Sequence, residues 1–261
     1  MKKTLIEKIP YPLPRELMSF TEGACIFDSS SSPEARVYYV AKDGGYYLKR
    51  SSPGSLRDEA KMNDYFHKKG MGAQVLHYTE TDCDWLLTRA VVGEDCTHEK
   101  YISDPRRLAA LMGELLRALH DTDCSDCPVR DRITGYISLA EENYALGRFD
   151  TSHFPDSFGY KSATDAHDAL CAGKSLLKNE VLIHGDFCLP NICLLDWRLS
   201  GYIDVGFGGI GDRHIDLFWG SWTLGFNLGT NAYSDIFFDA YGREKIDFDI
   251  IRTVAAAEVF R

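Results

Sequence analysis

Between residues 36 and 90 the chain alternates between strand-like and helix-like texture over short distances, and that alternation limits the folds open to it. "RVYYVA" and "YYLKR" are β-prone runs set around Asp43-Gly44-Gly45. Glycine tolerates positive φ, so this is a strong hairpin signal. "SSPGSLRDEAKMNDYFHKKG" reads as a loop followed by a helix, with Gly70 placed to cap its end. "QVLHY" and "DWLLTRA" read as two further strands. The first ninety residues are therefore expected to form a mainly antiparallel sheet with one helix packed on it.

After residue 90 the period becomes helical. "SDPRRLAALMGELLRALHDTD" carries an Asp cap, Pro105 at the first helical position, and leucines at helical spacing through Leu119. Helical character with long loops runs to about residue 178 and resumes from Asp212. Between them "VLIHGDF" is an apolar run entering a loop, while "NICLLD" and "GYIDV" flank a "WRLSG" turn as a second hairpin. The expected class is α+β, with an N-terminal antiparallel sheet lobe over residues 1–89 and a larger, mainly helical lobe over residues 90–261.

Composition narrows the partners. A net charge of −10 argues against a nucleic-acid footprint. No run approaches the roughly 18 apolar residues that span a membrane, and "MKKTLIEKIPYPLPREL" lacks the apolar core of a signal peptide. The eight cysteines are scattered and read as reduced thiols of a cytoplasmic protein. Cys124 and Cys127 form a lone C-x-x-C with no second pair and no His pair at zinc spacing. A monomer or weak dimer is expected.

The chemistry concentrates in "HGDFCLPN" (His184 to Asn191) and "GYIDVGFGG" (Gly201 to Gly209). Taken singly, Asp186, Asn191 and Asp204 are more often turn formers than catalysts. Together they match the H-x-D-x-x-x-x-N and D-x-G arrangement of the protein-kinase-like fold. Mg²⁺ takes hard oxygen ligands, and an Asp can orient or deprotonate an attacking hydroxyl. Such a site demands a strand lysine for phosphates and a helix carboxylate to hold it. Lys49 meets the first demand, and Tyr47, two residues earlier, shares its strand face. Glu59 lies on a helical stripe with Met62 and Phe66, where a carboxylate needs a partner.

Across nearly its whole length the chain resembles the aminoglycoside phosphotransferases, especially those that modify the 3′-hydroxyl. "TEGA", "YYLKR", "DEA", "LHDTDCSDCP", "HGDFCLPNI", "SGYIDVG", "GDRHIDL" and "AEVF" follow in family order. The resemblance implies an ATP-dependent O-phosphotransferase acting on an aminoglycoside hydroxyl, the 3′ position above all, with ATP and Mg²⁺. It implies Asp186 as catalytic base, Asn191 and Asp204 as Mg²⁺ ligands, and Lys49 on the α/β-phosphates with Glu59 holding it. Tyr47 would stack on adenine, backbone groups near Thr88 and Ala90 would form the hinge, and "TEGA" would cover the phosphates. Asp216 and His184 are expected to support the catalytic loop. Asp156, Glu258 and Phe260 are the expected acceptor contacts for a polycationic antibiotic.

Several residues depart from the family pattern. "FDTSHFPDSFG" is less acidic than its counterpart, keeping Asp150 and Asp156. Phe207 stands where Arg is frequent, Trp222 and Phe226 where charged residues are expected, Ala257 where Asp is typical, and Arg261 adds a cation after Phe260. These aromatics either line the acceptor pocket, offering about 0.5–2 kcal/mol each to an ammonium, or belong to the core. The alternative acceptor is another hydroxylated small molecule: a choline-like amine, a sugar or another antibiotic. Retention of Lys49, Glu59, Asp186, Asn191 and Asp204 together argues against a non-catalytic nucleotide-binding module.

Overall fold

The computed structural model describes residues 3–31, 35–150 and 160–261. The chain divides into two compact units, one of residues 1–95 with 190–206, the other of residues 96–189 with 207–261. In chain order the elements begin with β1 (Thr4–Ile6), α1 (Arg15–Thr21), β2 (Cys25–Asp28), β3 (Arg36–Ala41), β4 (Tyr46–Ser51) and α2 (Arg57–Lys68). β5 (Val75–Glu80), β6 (Asp84–Arg89) and β7 (Glu94–Asp95) complete that run. The second unit contributes α3 (Glu99–Ile102), α4 (Pro105–His120), α5 (Ile133–Ala145), α6 (Ala163–Gly173) and β8 (Val181–Ile183). β9 (Ile192–Leu195) and β10 (Arg198–Tyr202) return to the first unit. β11 (Gly209–Gly211), α7 (Arg213–Leu228), α8 (Ser234–Tyr241) and α9 (Phe248–Glu258) follow.

The first unit is built on an antiparallel sheet of order β1-β2-β3-β4-β6-β5. Asp43, Gly44 and Gly45 all take positive φ and turn β3 into β4 as the sequence predicts. Alternate residues Tyr38, Val40, Tyr46, Leu48, Trp85 and Leu87 form one face and pack with Leu17 of α1. Each such side chain, fully buried, contributes on the order of 1.5–3 kcal/mol. The strand period of two then sends Tyr47 and Lys49 to the opposite face, where Leu86 packs with Leu56 and Ala60 beside α2. α2 ends at Gly70 with φ +75, the expected cap.

The first unit reclaims residues 190–206 because β7 pairs with β9, Glu94 against Leu194 and Asp95 against Cys193. A single division after residue 89 has no sequence signal for this pairing, since a two-residue strand leaves no periodic trace. The β9–β10 turn is Asp196-Trp197, both at positive φ, rather than the longer "WRLSG". Arg198 through Gly201 belong to β10. "TEGA" closes α1 and, through Gly23 at φ +72, leads into β2.

The second unit is mainly helical. α4 carries the expected Asp104 cap, with Pro105 in its first turn, and buries Leu108, Met112, Leu116 and Leu119 on one stripe. Gly113 lets α8 approach: a Cβ there would lie 2.3 Å from the Phe237 carbonyl oxygen. β8 pairs antiparallel with β11, Ile183 opposite Gly209, so the loops leaving β8 and entering β11 start from one ladder. All eight cysteines are free thiols. Among the described residues no helix is long and apolar enough to cross a membrane.

Candidate active site

In the first unit, Lys49 Nζ donates to Glu59 Oε1 at 2.7 Å and to Asp204 Oδ1 at 2.5 Å. One carboxylate from 10 residues away and another from 155 residues away thus meet on one ammonium. Burial opposes the charge on Lys49, but Glu59 and Asp204 outweigh it and hold the ammonium above its usual range. Asp204 sits at φ +59, a conformation Asp tolerates better than most residues. Asn191 ends a short 3-10 turn just before β9 rather than opening the strand. Its carbonyl accepts from Ile203 N at 3.0 Å, continuing the β9–β10 ladder past Ile192–Tyr202. Register therefore brings Asn191 and Asp204, thirteen residues apart, to the same end of one hairpin.

Tyr47 is half-buried beside Tyr39, ring centroids 5.2 Å apart, and burial pushes its phenol up to about 12. It shares the face of Lys49 and pairs with Thr88 across the sheet. The Ala90 N–H donates to the Gly45 carbonyl at 3.0 Å, so that hinge donor is already committed in this structure. One contributor was not anticipated. Asp84, fully buried at the start of β6, accepts from Gly54 N (2.9 Å), Leu56 N (2.8 Å) and Tyr78 Oη (3.2 Å). α2 has no side-chain cap of its own, and Asp84 supplies one from a neighbouring strand. A carboxylate heading an apolar strand was the available signal.

In the second unit, Asp186 follows β8 in the loop that His184 opens. Asp216 on α7 is fully buried and accepts from His184 N and Gly185 N, both at 2.7 Å, and from His120 Nε2 at 3.2 Å. His120 is oriented in turn by a hydrogen bond between its Nδ1 and Tyr241 Oη at 2.9 Å. His184 Nδ1 accepts from Asp186 N at 3.3 Å, which makes this imidazole a loop anchor. Gly185 has φ +82, and a Cβ there would come within 2.3 Å of the Phe207 carbonyl oxygen. Thr223 Oγ1 accepts from Leu189 N at 3.2 Å and steadies the far end of the loop. The two carboxylates divide the work, one buried and accepting hydrogen bonds, the other partly exposed.

The expected acceptor residues fare differently. Asp156 lies outside the described residues. Phe260 is 1% exposed, its ring against Tyr144 at 5.4 Å, and its carbonyl accepts from Asn143 Nδ2 at 2.8 Å. It is a core residue, a role its aromatic ring could not disclose by spacing. Glu258 is buried, and its Oε1 accepts from Tyr136 Oη (2.8 Å), Trp219 Nε1 (3.3 Å) and Arg261 Nη1 (3.2 Å). Burial raises its carboxyl above the ordinary range, against the pull of Arg261 and the hydrogen bonds. Of the aromatic departures, Phe207 is 54% and Phe226 71% exposed, and Trp222 is half-buried. Phe226 stacks on Trp222 at 5.0 Å, and Trp222 meets Trp219 edge-on at 5.3 Å. They form a surface stripe along α7, not core.

A part-buried lysine between two carboxylates in one unit and, in the other, a loop aspartate braced from a helix are groups that a phosphotransferase calls for. A family model described as "Phosphotransferase enzyme family" matches residues 30–252. A Lactococcus lactis protein named "Probable aminoglycoside 3'-phosphotransferase" is 43% identical over 256 residues, 98% of this chain and 96% of its own. The crystal structure of an aminoglycoside 3'-phosphotransferase of type VIII superposes with a TM-score of 0.79 at 22% identity, covering 95% of this chain and 97% of that one. The aminoglycoside phosphotransferase APH(3'')-Id from Streptomyces rimosus, in complex with ADP and streptomycin, superposes at 0.71 with 21% identity over 86% and 90% of the chains. The chain belongs to the aminoglycoside phosphotransferase family and has its protein-kinase-like fold.

Proposed function

We propose that this protein transfers the γ-phosphate of ATP to a hydroxyl of an aminoglycoside, the 3′-hydroxyl first among candidates, in the cytoplasm. The observation that carries the reading is Lys49 held between Glu59 and Asp204. That ammonium, kept charged and oriented, suits the α/β-phosphates of a nucleotide. Tyr47 offers an aromatic face to adenine, and the backbone at Thr88 and Ala90 offers hinge polar groups, the Ala90 N–H after release from Gly45. The names of the relatives support the aminoglycoside acceptor.

Asn191 and Asp204 are the residues that would hold Mg²⁺. Among the described residues no cluster of three His, Cys, Asp or Glu forms a ready cage. The Asp204 carboxylate and the Asn191 amide oxygen are hard donors, which suits an ion bound through one or two protein oxygens together with phosphates and water. Bound there, Mg²⁺ supplies neutralisation of phosphate charge. Asp186 orients the acceptor hydroxyl and takes its proton as the oxygen attacks phosphorus. The bond from phosphorus to the β–γ bridging oxygen breaks, and ADP leaves. Asp216 acts through the loop, holding His184 and Gly185 so that Asp186 is presented in one geometry.

The test is ADP release with Mg·ATP and acceptors that carry or lack the 3′-hydroxyl. Turnover confined to the hydroxyl-bearing set, and lowered by orders of magnitude in Asp186→Asn with nucleotide affinity kept, is the expected result. Equal turnover of both sets sinks the 3′ assignment. The stripe of half-buried Trp219 and Trp222 and exposed Phe226 favours a second reading, a hydroxylated acceptor held by aromatic faces. A wider acceptor screen separates the two.

A further inference from the structure

A cavity of about 190 Å³ adjoins the loop that carries Asp186. Gly185, Phe207, Tyr136, Arg132, Asp131 and Arg261 line it. It is smaller than the roughly 300–1,000 Å³ of sites that enclose a drug-sized ligand, so it holds one group of an acceptor rather than the whole. Two devices here suit an ammonium: the carboxylate of Glu258 and the ring faces of Tyr136 and Phe207. Both are occupied by this chain. Arg261 Nη1 reaches Glu258 Oε1 at 3.2 Å, and the guanidinium lies 4.5 Å from the Tyr136 ring centroid and 4.9 Å from that of Phe207. The same Oε1 also accepts from Tyr136 and Trp219.

The two cations at the wall, Arg261 and Arg132, stand against the carboxylate of Asp131. Arg132 contributes a second guanidinium, fixed by its donation from Nε to the Gly208 carbonyl at 2.6 Å. Asp131 is engaged by Thr134 N (3.0 Å), Thr134 Oγ1 (2.7 Å) and Asn179 Nδ2 (2.7 Å). Among the described residues the buried Nε of Arg261 has no acceptor, so its place is set by Glu258 and the two rings.

We infer that Arg261 is a specificity-determining residue: it fills the ammonium site formed by Glu258, Tyr136 and Phe207, and leaves the cavity beside Asp186 for an uncharged, hydroxyl-bearing group of the acceptor. A guanidinium at the wall repels a nearby ammonium and donates readily to a hydroxyl oxygen. The inference rests on the proposed phosphotransfer to a hydroxylated acceptor and refines which acceptors are taken.

The experiment compares acceptor pairs that differ only by an amino group or a hydroxyl beside the reacting position. KM and kcat are read in the wild type, Arg261→Gln and Arg261→Lys. Calorimetric Kd values in the presence of ADP are read alongside, so that binding is scored even without turnover. Arg261→Gln should lower KM and Kd for the amino member about tenfold, a difference near 1.4 kcal/mol, with kcat within about twofold and the hydroxyl member no tighter. Arg261→Lys should keep the wild-type ratio. Glu258→Gln, which retains an acceptor for Tyr136 and Trp219, should leave that ratio unchanged in an otherwise wild-type chain, and it provides a second readout should Arg261→Gln fail to fold.

Equal shifts for both members overturn the inference, as does a Glu258→Gln variant that selectively loses the amino acceptor. Amino-selective tightening by calorimetry without any turnover would uphold the role of Arg261 and sink the proposed reaction. Absence of binding by either acceptor to any variant would overturn both.

Discussion

Asp216→Asn isolates the bracing of the catalytic loop. The Asp216 carboxylate is fully buried and accepts three hydrogen bonds, two of them from backbone N–H groups at 2.7 Å. Asparagine keeps the volume but has one acceptor oxygen and turns an NH₂ toward the remaining donors. A hydrogen bond to a charged group is worth about 1.5–3 kcal/mol, and a buried donor left unpaired costs about 1–3 kcal/mol. Partial relaxation leaves a net loss of about 2–4 kcal/mol. In a chain of this size that corresponds to roughly 5–15 °C in Tm, which thermal unfolding followed by circular dichroism reads directly. Turnover should fall at least about a hundredfold, because a displacement near 1 Å at the reacting group carries a penalty of that order. Nucleotide affinity should hold, since Lys49, Glu59 and Asp204 belong to the other unit. A variant with wild-type turnover and Tm would show that Asp216 does not orient the loop. Lost nucleotide binding together with lost turnover would point to general unfolding.

Three further outcomes follow from the same geometry. Gly185→Ala must move backbone away from the Phe207 carbonyl, 2.3 Å from the added Cβ, so activity should fall more than about a hundredfold with a lowered melting temperature; an active, stable variant would refute the close approach. Glu59→Gln leaves Lys49 with Asp204 and a neutral amide oxygen in place of the second carboxylate, and the weakened hold should cut kcat/KM for ATP by about 10–100-fold. The acceptor KM should stay near wild type, and parallel losses for both substrates would contradict the assignment. Asp212 is pushed upward by burial, but hydrogen bonds from His214 and Lys178 outweigh that and hold its carboxyl below the ordinary range. A depressed folded pKa gives stability present above the unfolded value and lost as pH falls through the folded one. Asp212→Asn should therefore melt lower at neutral pH and show a flatter decline toward pH 3; an unchanged acid slope would remove Asp212 as a source of acid sensitivity.

The readable parts of this chain were those whose chemistry is local. The Asp43-Gly44-Gly45 hairpin, the Gly70 cap and the Asp104 cap follow from backbone preferences that each residue carries with it. Lys49 and Glu59 pair on strand period, helix period and the cost of burying a lone carboxylate, once the distant Asp186, Asn191 and Asp204 motif calls for such a lysine. Phe260 and Phe226 show the limit: two aromatics, one in the core and one on the surface, with nothing in either residue's spacing to say which. The β7–β9 pairing escaped because two residues leave no pattern. Asp84 escaped because a cap borrowed from another strand exists only once the sheet has formed. At Glu258 and Arg261 the residues themselves were visible as a kept anion and an added cation, but their mutual neutralisation is a tertiary fact.

The borrowed cap has a consequence for control. In protein kinases the helix bearing the lysine's carboxylate partner is a point at which activity is switched, because its position decides whether the ion pair is made. Here the start of α2 is tied to β6 by a carboxylate that also anchors β5 through Tyr78. A helix fastened to its own sheet has little freedom to swing outward, and the ion pair of Lys49 with Glu59 is then maintained by the fold itself. The amount synthesised, rather than a conformational signal, would then decide how much of the reaction occurs.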